Sequence, residues 1–216
     1  MSRVRVKICG ITSDKDLNMA VEAGADAVGF VVDVPASPRS ISIDEAAKLI
    51  ENTPVFVEAV VVTAPKNLNH LEKICKEVPS KTIQIHGLSH MHKMIRRMMP
   101  DKRLIGAMRI DGNRSIDSVL EISESFDAVL LDTYMPGRPG GTGKTHDWNI
   151  SRRVRDAVHP KPLILAGGLN PSNVKDAIET VRPYAVDVSS GVESKPGVKD
   201  QDKICEFIKR VREAEV

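Results

Sequence analysis

Aromatic residues are scarce in this chain of 216 residues, which contains one Trp, two Tyr and four Phe. Proteins that bind single-stranded nucleic acids stack bases on aromatic side chains, so this scarcity argues against that class. An excess of one charge is also lacking, because 31 basic and 29 acidic residues leave a formal net charge of +2. No block of like charge is long enough to form an arm that binds nucleic acid. We therefore expect no nucleic-acid partner.

Cysteines and long apolar runs are also few. The three cysteines, Cys9, Cys75 and Cys205, show neither a metal-binding nor a disulfide spacing, which is typical of a reducing compartment. The apolar runs have the length of strands and are too short to cross a membrane. The first residues alternate and carry charge, unlike a signal peptide. These absences predict a cytoplasmic protein with no membrane partner.

The sequence does contain a regular alternation of short apolar runs and amphipathic segments. Predicted strands cover 3–9, 25–32, 56–62, 82–86, 103–108, 128–132, 163–166 and 185–188. Predicted helices cover 13–23, 42–51, 67–77, 89–99, 115–123 and 149–157, then one with Asn170 as cap and Pro171 as first residue, and one beginning near Asp200. Strict alternation predicts a parallel sheet with helices outside, and eight repeats favour a closed barrel. We predict one α/β domain over residues 1–216, a single-domain (β/α)8 TIM barrel.

Each of the last two predicted strands ends in small residues. Gly167 and Gly168 follow the seventh strand, and Ser189, Ser190 and Gly191 follow the eighth. Two such loops at the same end of neighbouring parallel strands form a nest of backbone N–H groups that suits a phosphate. In an eight-stranded barrel, the loops after strands seven and eight commonly bind phosphate. The alternative is that these residues only make tight turns.

A third glycine-rich stretch lies in the long loop that follows the sixth predicted strand. Gly141, Gly143 and Lys144 belong to it, and its spacing is not that of a P-loop. Long loops in compact domains are often functional. We expect this loop to add amide groups or cationic charge to the phosphate site, with a mobile linker as the alternative.

Reactive groups of such barrels lie at the carboxyl ends of strands and in the loops that follow. Cys9 ends the first predicted strand and Asp132 ends the sixth, on different sides of the barrel mouth. They can address one small ligand from opposite faces, which suits a base and an acid. Cys9 can equally be a small buried hydrophobe.

Lys7 shares a strand face with Cys9, because side chains alternate with a period of two. Val4, Val6 and Ile8 should then face the helices. A lysine inside the barrel needs a partner, and Asp187 on the neighbouring eighth strand has matching parity. We predict a Lys7–Asp187 ion pair.

Two further residues are candidates for binding a ligand. Arg39 lies in a proline-flanked loop after the second strand, where its guanidinium suits a carboxylate of the substrate. A surface arginine without a partner is the alternative. His86 ends the fourth strand, where it either contacts the ligand or is held by neighbouring hydrogen bonds. The other histidines form no metal-binding pattern.

A set of short motifs resembles the phosphoribosylanthranilate isomerase family nearly from end to end and in the same order. The motifs are Lys7-Ile-Cys-Gly-Ile-Thr12, Gly24-Ala-Asp-Ala-Val-Gly-Phe30, Ser37-Pro-Arg39, Gln84-Ile-His-Gly87, Leu131-Asp132, Gly140-Gly-Thr-Gly143, Ala166-Gly-Gly-Leu-Asn-Pro171 and Val186-Asp-Val-Ser-Ser-Gly-Val-Glu193. The first of these near the start, combined with the last near the end, is highly specific.

The resemblance implies an enzyme of tryptophan biosynthesis that catalyses an Amadori rearrangement of N-(5-phosphoribosyl)anthranilate. It implies Cys9 as general base, Asp132 as general acid and Arg39 as the contact for the anthranilate carboxylate. The remaining residues that we predict to bind substrate are His86, Gly141, Gly143, Lys144, Gly167, Gly168, Asp187, Ser189, Ser190 and Gly191. No cofactor is expected, because the iminium of the substrate is itself the electron sink. A thiolate at Cys9 requires a cationic neighbourhood, from Lys7 or from that iminium.

Three alternatives remain open at this point. The related isomerase of histidine biosynthesis resembles a barrel with an aspartate in place of Cys9, so Cys9 counts against it, although a dual-substrate isomerase stays possible. A non-catalytic barrel that binds a phosphorylated metabolite should have lost its acid or its base, and both are in place here. The expected partner is a small phosphorylated substrate. The sequence leaves monomer and homodimer undecided.

Overall fold

The computed structural model describes residues 3–87, 89–110, 116–133 and 148–214, with only the backbone of residues 89, 109, 110 and 133. Nine strands of this described part form one parallel sheet. They are β1 (Arg5–Cys9), β2 (Ala27–Val32), β3 (Ser40–Ile41), β4 (Glu58–Thr63), β5 (Thr82–His86), β6 (Arg103–Ile110), β7 (Ala128–Thr133), β8 (Leu163–Leu165) and β9 (Ala185–Val188). The short β3 pairs with β2 alone.

The eight remaining strands close into a barrel, because β1 pairs with β2 on one side and with β9 on the other. The order around the barrel is β1, β9, β8, β7, β6, β5, β4, β2. Residues of one strand face alternately inward and outward. The predicted (β/α)8 barrel is confirmed.

Helices follow the strands of the barrel. They are α1 (Asp14–Glu22), α2 (Ile43–Glu51), α3 (Leu68–Glu77), α4 (His92–Met98), α5 (Ile116–Ser123), α6 (Trp148–Val158), α7 (Val174–Val181) and α8 (Gln201–Arg212). Four of them begin where a side-chain oxygen accepts a hydrogen bond from a first-turn amide, at Ser13, Ser42, Asn67 and Asp200. Such caps satisfy amides that a helix leaves unpaired, which is why these starts were predictable.

The start of α7 differs from the prediction. Asn170 and Pro171 do not open the helix, which begins three residues later, at Val174. The side chain of Asn170 is instead engaged locally, where its Oδ1 accepts from the Ser172 amide at 2.9 Å and from the Ser172 hydroxyl at 2.6 Å. This turn competes with the helix for the same residues.

The buried side chains form two clusters. Between the strands and the helices lie residues such as Val6, Ile8 and Phe30, all with no exposed surface. Val4 belongs to the same outer layer, as predicted. A second cluster fills the inside of the barrel and consists of Cys9, Val31, Val60, Val62, Ile105, Leu130, Ile164, Ala166 and Ala185. The barrel is therefore a packed core and not a pore.

The segment between β9 and α8 contains structure that was not predicted. A short 3₁₀ turn (Ser190–Val192) leads into an antiparallel hairpin of β10 (Glu193–Lys195) and β11 (Val198–Lys199). The hairpin is tied to the first βα unit, since the Thr12 hydroxyl donates to the Gly197 carbonyl at 2.8 Å. This hairpin borders the barrel mouth.

The opposite end of the barrel has a cavity of about 400 Å³ among the starts of the strands, with Arg5, Thr82, Arg103 and Phe56 in its lining. Phe56 was predicted to begin the third strand of the barrel. It lies instead before β4 with a φ of 77° and is 99% exposed. Among the described residues, no helix is both long and apolar enough to cross a membrane.

Candidate active site

Cys9 ends β1 at the barrel mouth and is buried. Gly29 of β2 stands opposite it in register and provides the space for its side chain. A Cβ at Gly29 would lie 2.9 Å from the Cys9 Sγ and 3.0 Å from the Lys7 Nζ. The thiol and the ammonium therefore share the volume that the glycine leaves open.

The predicted ion pair between Lys7 and Asp187 is confirmed. The two residues are in register on β1 and β9, and the Lys7 Nζ lies 2.7 Å from an Asp187 carboxylate oxygen. Both side chains are almost fully buried, with 5% and 10% exposed. Burial alone would lower the pKa of Lys7, but the charges of Asp187 and of an ionised Cys9 outweigh it and leave that pKa raised.

The expected thiolate at Cys9 is not supported without substrate. Burial raises the pKa of the Cys9 thiol, and the nearby Asp187 carboxylate acts in the same direction. Lys7 and Lys199 lower the pKa, but their effect is smaller than that of burial. The thiol therefore keeps its proton more firmly than an ordinary cysteine does.

Arg39 lies against the turn that follows Cys9. Gly10 has a φ of +78°, and a Cβ added to it would lie 2.6 Å from the Arg39 Cδ and 2.9 Å from the Ser189 Oγ. The guanidinium of Arg39 donates from Nε and from Nη2 to the two carboxylate oxygens of Glu193, each at 2.7 Å. The alternative of an unpartnered surface arginine is thus wrong.

Asp132 lies near the carboxyl end of β7 and is half-buried. It has the same parity as Leu130, which packs inside the barrel. Only β8 and β9 separate β7 from β1 in the sheet. The carboxylate therefore stands at the barrel mouth, across it from Cys9.

The two small-residue loops after β8 and β9 contact one another. Gly167 and Gly168 have φ angles of 83° and 67°. A Cβ at Gly191 would lie 2.0 Å from the Leu169 carbonyl oxygen, so only glycine allows the loops to approach this closely. The Ser189 hydroxyl is buried and has no hydrogen-bond partner among the described residues.

The Gly168 carbonyl is bound by side chains that follow it in the chain. It accepts hydrogen bonds from the side-chain amides of Asn170 at 3.3 Å and Asn173 at 3.0 Å. Within the described part of the chain, the backbone amides of Gly167 and Gly168 donate no hydrogen bond. Amides that donate to no described residue, in a loop that contacts the 3₁₀ turn at Gly191, suit an anion.

His86 is held by a neighbour on its own strand, as one of its two predicted alternatives requires. Its Nε2 lies 2.9 Å from the Gln84 Nε2, and Gln84 is buried inside the barrel. Contact of His86 with a ligand stays a prediction. Gly141, Gly143 and Lys144 lie outside the described residues.

Sequence reasoning missed the role of Glu193 and Lys199 beside Arg39. Lys199 donates to Glu193 at 2.9 Å, and its side chain has no exposed surface. A usable signal was the position of Glu193, an acidic residue directly after the small-residue loop that was predicted to bind an anion. Among the described residues, no group of three His, Cys, Asp or Glu could hold a metal ion.

Comparison with known proteins identifies the family of this chain. The family model described as N-(5'-phosphoribosyl)anthranilate (PRA) isomerase matches residues 6–210. The N-(5'-phosphoribosyl)anthranilate isomerase of Methanothrix thermoacetophila is 45% identical over 210 residues, which cover 96% of this chain and 98% of the relative.

Two crystal structures are similar over nearly their whole length. One shows monomers generated from the dimeric phosphoribosylanthranilate isomerase of Thermotoga maritima, at 39% identity and a TM-score of 0.83, covering 97% of this chain and 99% of that one. The other shows a phosphoribosyl anthranilate isomerase in complex with reduced 1-(o-carboxyphenylamino)-1-deoxyribulose 5-phosphate, at 39% identity, a TM-score of 0.82 and the same coverage. This chain belongs to the N-(5'-phosphoribosyl)anthranilate isomerase family.

Proposed function

We propose that this protein converts N-(5'-phosphoribosyl)anthranilate into 1-(o-carboxyphenylamino)-1-deoxyribulose 5-phosphate in L-tryptophan biosynthesis. The reaction is an Amadori rearrangement with Asp132 as general acid and Cys9 as general base. Family membership favours this reaction over a dual-substrate isomerase and over a non-catalytic barrel.

The observation that carries the proposal is the meeting of three elements at Gly10. This residue follows Cys9 directly and lies against both Arg39 and Ser189. The proposed base, a cation for the anthranilate carboxylate and a loop for the phosphate therefore surround one small volume. A substrate with an anionic group at each end fits this arrangement.

The first chemical step opens the ribose ring. The Asp132 carboxyl group donates a proton to the ring oxygen as the bond from C1 to that oxygen breaks. The lone pair of the anthranilate nitrogen forms a double bond to C1, which gives an iminium. Asp132 becomes a carboxylate.

The second step removes the proton from C2. The Cys9 sulfur takes this proton, the C–H electron pair forms a double bond between C1 and C2, and the iminium electrons return to nitrogen. The resulting enolamine tautomerises to the ketone. Since burial raises the pKa of the Cys9 thiol, the positive charge of the iminium provides the electrostatic help that the resting site lacks. No cofactor takes part.

The partners that we propose are the phosphorylated substrate and a second copy of this chain in the cytoplasm. Phe56 and Val55 are 99% and 82% exposed, and Phe56 stands at the edge of the cavity of about 400 Å³ at the far end of the barrel. In a two-fold symmetric pair, each Phe56 can enter the cavity of the other subunit. A homodimer of this kind leaves both barrel mouths open to substrate.

The test follows conversion of freshly prepared phosphoribosylanthranilate through the loss of anthranilate fluorescence. We expect activity in the wild type, and a loss on the order of 10²–10⁴-fold or more in Cys9→Ser and in Asp132→Asn. Cys205→Ser serves as the matched control, because Cys205 is exposed on α8. A wild type without activity contradicts the reaction, and full activity in Cys9→Ser contradicts the base.

A further inference from the structure

Three charged side chains form a buried cluster beside the proposed substrate site. Glu193 is the centre, with the Arg39 guanidinium on one side and the Lys199 ammonium on the other. The exposed fraction of the side chain is 21% for Arg39, 4% for Glu193 and 0% for Lys199. Only Arg39 therefore reaches the volume in which a ligand binds.

The fork between Arg39 and Glu193 determines which edge of the guanidinium is available. Nε and Nη2 of Arg39 are bound to the two Glu193 oxygens at 2.7 Å each, and this bidentate geometry holds the guanidinium plane in one orientation. Among the described residues, Nη1 of Arg39 has no partner. The edge formed by Nη1 and Nη2 thus remains for a second carboxylate.

Lys199 connects the same cluster to the phosphate loop. Its Nζ donates to the Glu193 carboxylate at 2.9 Å and to the Ser189 backbone carbonyl at 3.2 Å. The same Ser189 carbonyl also accepts from the Val192 amide at 3.4 Å, so the ammonium and the 3₁₀ turn bind one oxygen of this loop. The buried Lys199 ammonium therefore contacts both the residue that orients Arg39 and the loop proposed to bind the phosphate.

The charge of the cluster is unbalanced. Two cationic side chains, Arg39 and Lys199, meet one carboxylate, which leaves one net positive charge. Burial alone would raise the pKa of Glu193, but Arg39 and Lys199 outweigh it and leave this pKa lowered. Burial lowers the pKa of Lys199 despite the opposing effect of Glu193. A buried ion pair is a weak source of stability, so a role in binding accounts better for this one.

We propose that Glu193 and Lys199 are positioning residues for a carboxylate on the amine portion of the substrate, and that Glu193 contributes to affinity while Lys199 makes the site selective for the charged group. Glu193 orients Arg39, and Lys199 gives the cluster the positive charge that the carboxylate neutralises. A neutral carboxamide at the same place can hydrogen-bond to Arg39 but does not neutralise this charge. The inference rests on the proposed function and specifies how its substrate is distinguished from uncharged analogues.

The test compares the binding of two ligands by calorimetry. One is reduced 1-(o-carboxyphenylamino)-1-deoxyribulose 5-phosphate, and the other is its counterpart with a carboxamide in place of the carboxylate. We expect Lys199→Met to weaken binding of the carboxylate ligand about tenfold, because one charged interaction is lost. Binding of the carboxamide ligand should weaken less than about threefold. Lys203→Met is the matched control, because exposed Lys203 donates to the Glu193 backbone carbonyl at 2.7 Å.

Glu193→Gln gives an independent result. It keeps the shape of the side chain but removes the carboxylate fork, so we expect KM for phosphoribosylanthranilate to rise about tenfold while kcat changes less than about threefold. The preference for the carboxylate ligand should not fall, because the cluster becomes more positive. If Lys199 had a purely structural role, Lys199→Met would weaken the binding of the carboxylate ligand and of the carboxamide ligand equally.

Different results would overturn the proposed function and the roles of Lys199 and Glu193. A wild type that neither converts phosphoribosylanthranilate nor binds the carboxylate ligand overturns the proposed function. An active wild type whose Lys199→Met variant keeps the ligand preference within about twofold overturns only the role of Lys199. An unchanged KM in Glu193→Gln overturns the role of Glu193, even if Lys199→Met does not fold.

Discussion

At the scale of single residues, the Lys7–Asp187 pair carries the clearest energetic consequence. Lys7→Met leaves the Asp187 carboxylate buried without its cation, and we expect the free energy of unfolding to fall by about 3–5 kcal/mol. Urea denaturation measures this change. The double variant Lys7→Met/Asp187→Leu should recover most of the stability, because it buries no charge. A Lys7→Met protein as stable as the wild type contradicts the prediction.

A matched exposed pair gives the control. Lys76 and Glu72 on α3 lie 2.6 Å apart, but 71% and 42% of their side chains are exposed. Lys76→Met should change the free energy of unfolding by less than about 1 kcal/mol, since solvent screens such pairs.

The Cys9 thiol determines how activity depends on pH. It must lose its proton to act as a base, and burial raises its pKa. We therefore expect the ionisation of Cys9 to give kcat/KM a limb that rises with pH in the alkaline range, while loss of the Asp132 proton contributes a separate limb that falls with pH. Lys7→Met removes a charge that lowers the thiol pKa, so the rising limb should move to higher pH. If the rising limb of kcat/KM lies below the ordinary pKa range of a thiol, or if it moves to lower pH in Lys7→Met, then Cys9 is not the base.

Strand parity was enough to predict the faces of Lys7, Cys9 and Asp187 from the sequence. The raised pKa of Cys9 was not predictable, because it depends on how completely neighbouring elements cover the thiol. Glu193 was missed for a related reason. Its partners Arg39 and Lys199 come from a different loop and from a hairpin whose strands are too short to show a period.

At the scale of elements, two strand glycines provide opposite tests. Gly29 of β2 faces the barrel interior, where a methyl group meets Cys9 and Lys7, whereas a methyl group at Gly106 of β6 lies 2.7 Å from the Phe126 ring on the outside. We expect Gly29→Ala to reduce kcat at least about tenfold with a smaller loss of stability. Gly106→Ala should cost roughly 1–3 kcal/mol by overpacking and change kcat little. Thermal unfolding measures the loss of stability in each variant, and the fluorescence assay measures the loss of kcat. If Gly29→Ala and Gly106→Ala showed the same losses, the faces assigned to the two glycines would be contradicted.

Helix starts were predictable where a side chain caps the first turn, as at Ser13, Ser42 and Asp200. The start of α7 was not, since Asn170 forms a local turn with Ser172 before the helix begins. An asparagine side chain can cap a helix or form a local turn, and which of the two it does depends on the surrounding loop.

At the scale of the whole molecule, Phe56 determines the expected assembly. A left-handed conformation costs a residue other than glycine roughly 1–2 kcal/mol, and asparagine tolerates it better than phenylalanine. We expect the wild type to sediment as a dimer and Phe56→Asn as a monomer, with activity per chain unchanged within about twofold. Met94→Gln is the control, because Met94 is an exposed apolar residue of α4. A monomeric wild type contradicts the proposed dimer.

The closed barrel was predictable from eight repeats of strand and helix, because the alternation leaves few arrangements that bury every strand. The proposed dimer was not predictable, since a single exposed aromatic residue carries no periodic signal. Its exposure became visible only once β4 was seen to begin after Phe56, at Glu58.

The closure of the barrel also governs when the protein can first function during synthesis. The partner of Lys7 lies 180 positions further along the chain. Until β9 has left the ribosome, β1 has a neighbour on one side only, and the ammonium beside Cys9 has no carboxylate to balance it. Contacts this distant in sequence form late, after most of the entropy of the chain has been lost. A nascent chain shorter than this therefore already contains the proposed base and acid, but it presents an open sheet edge at β1 and lacks the closed barrel that holds them.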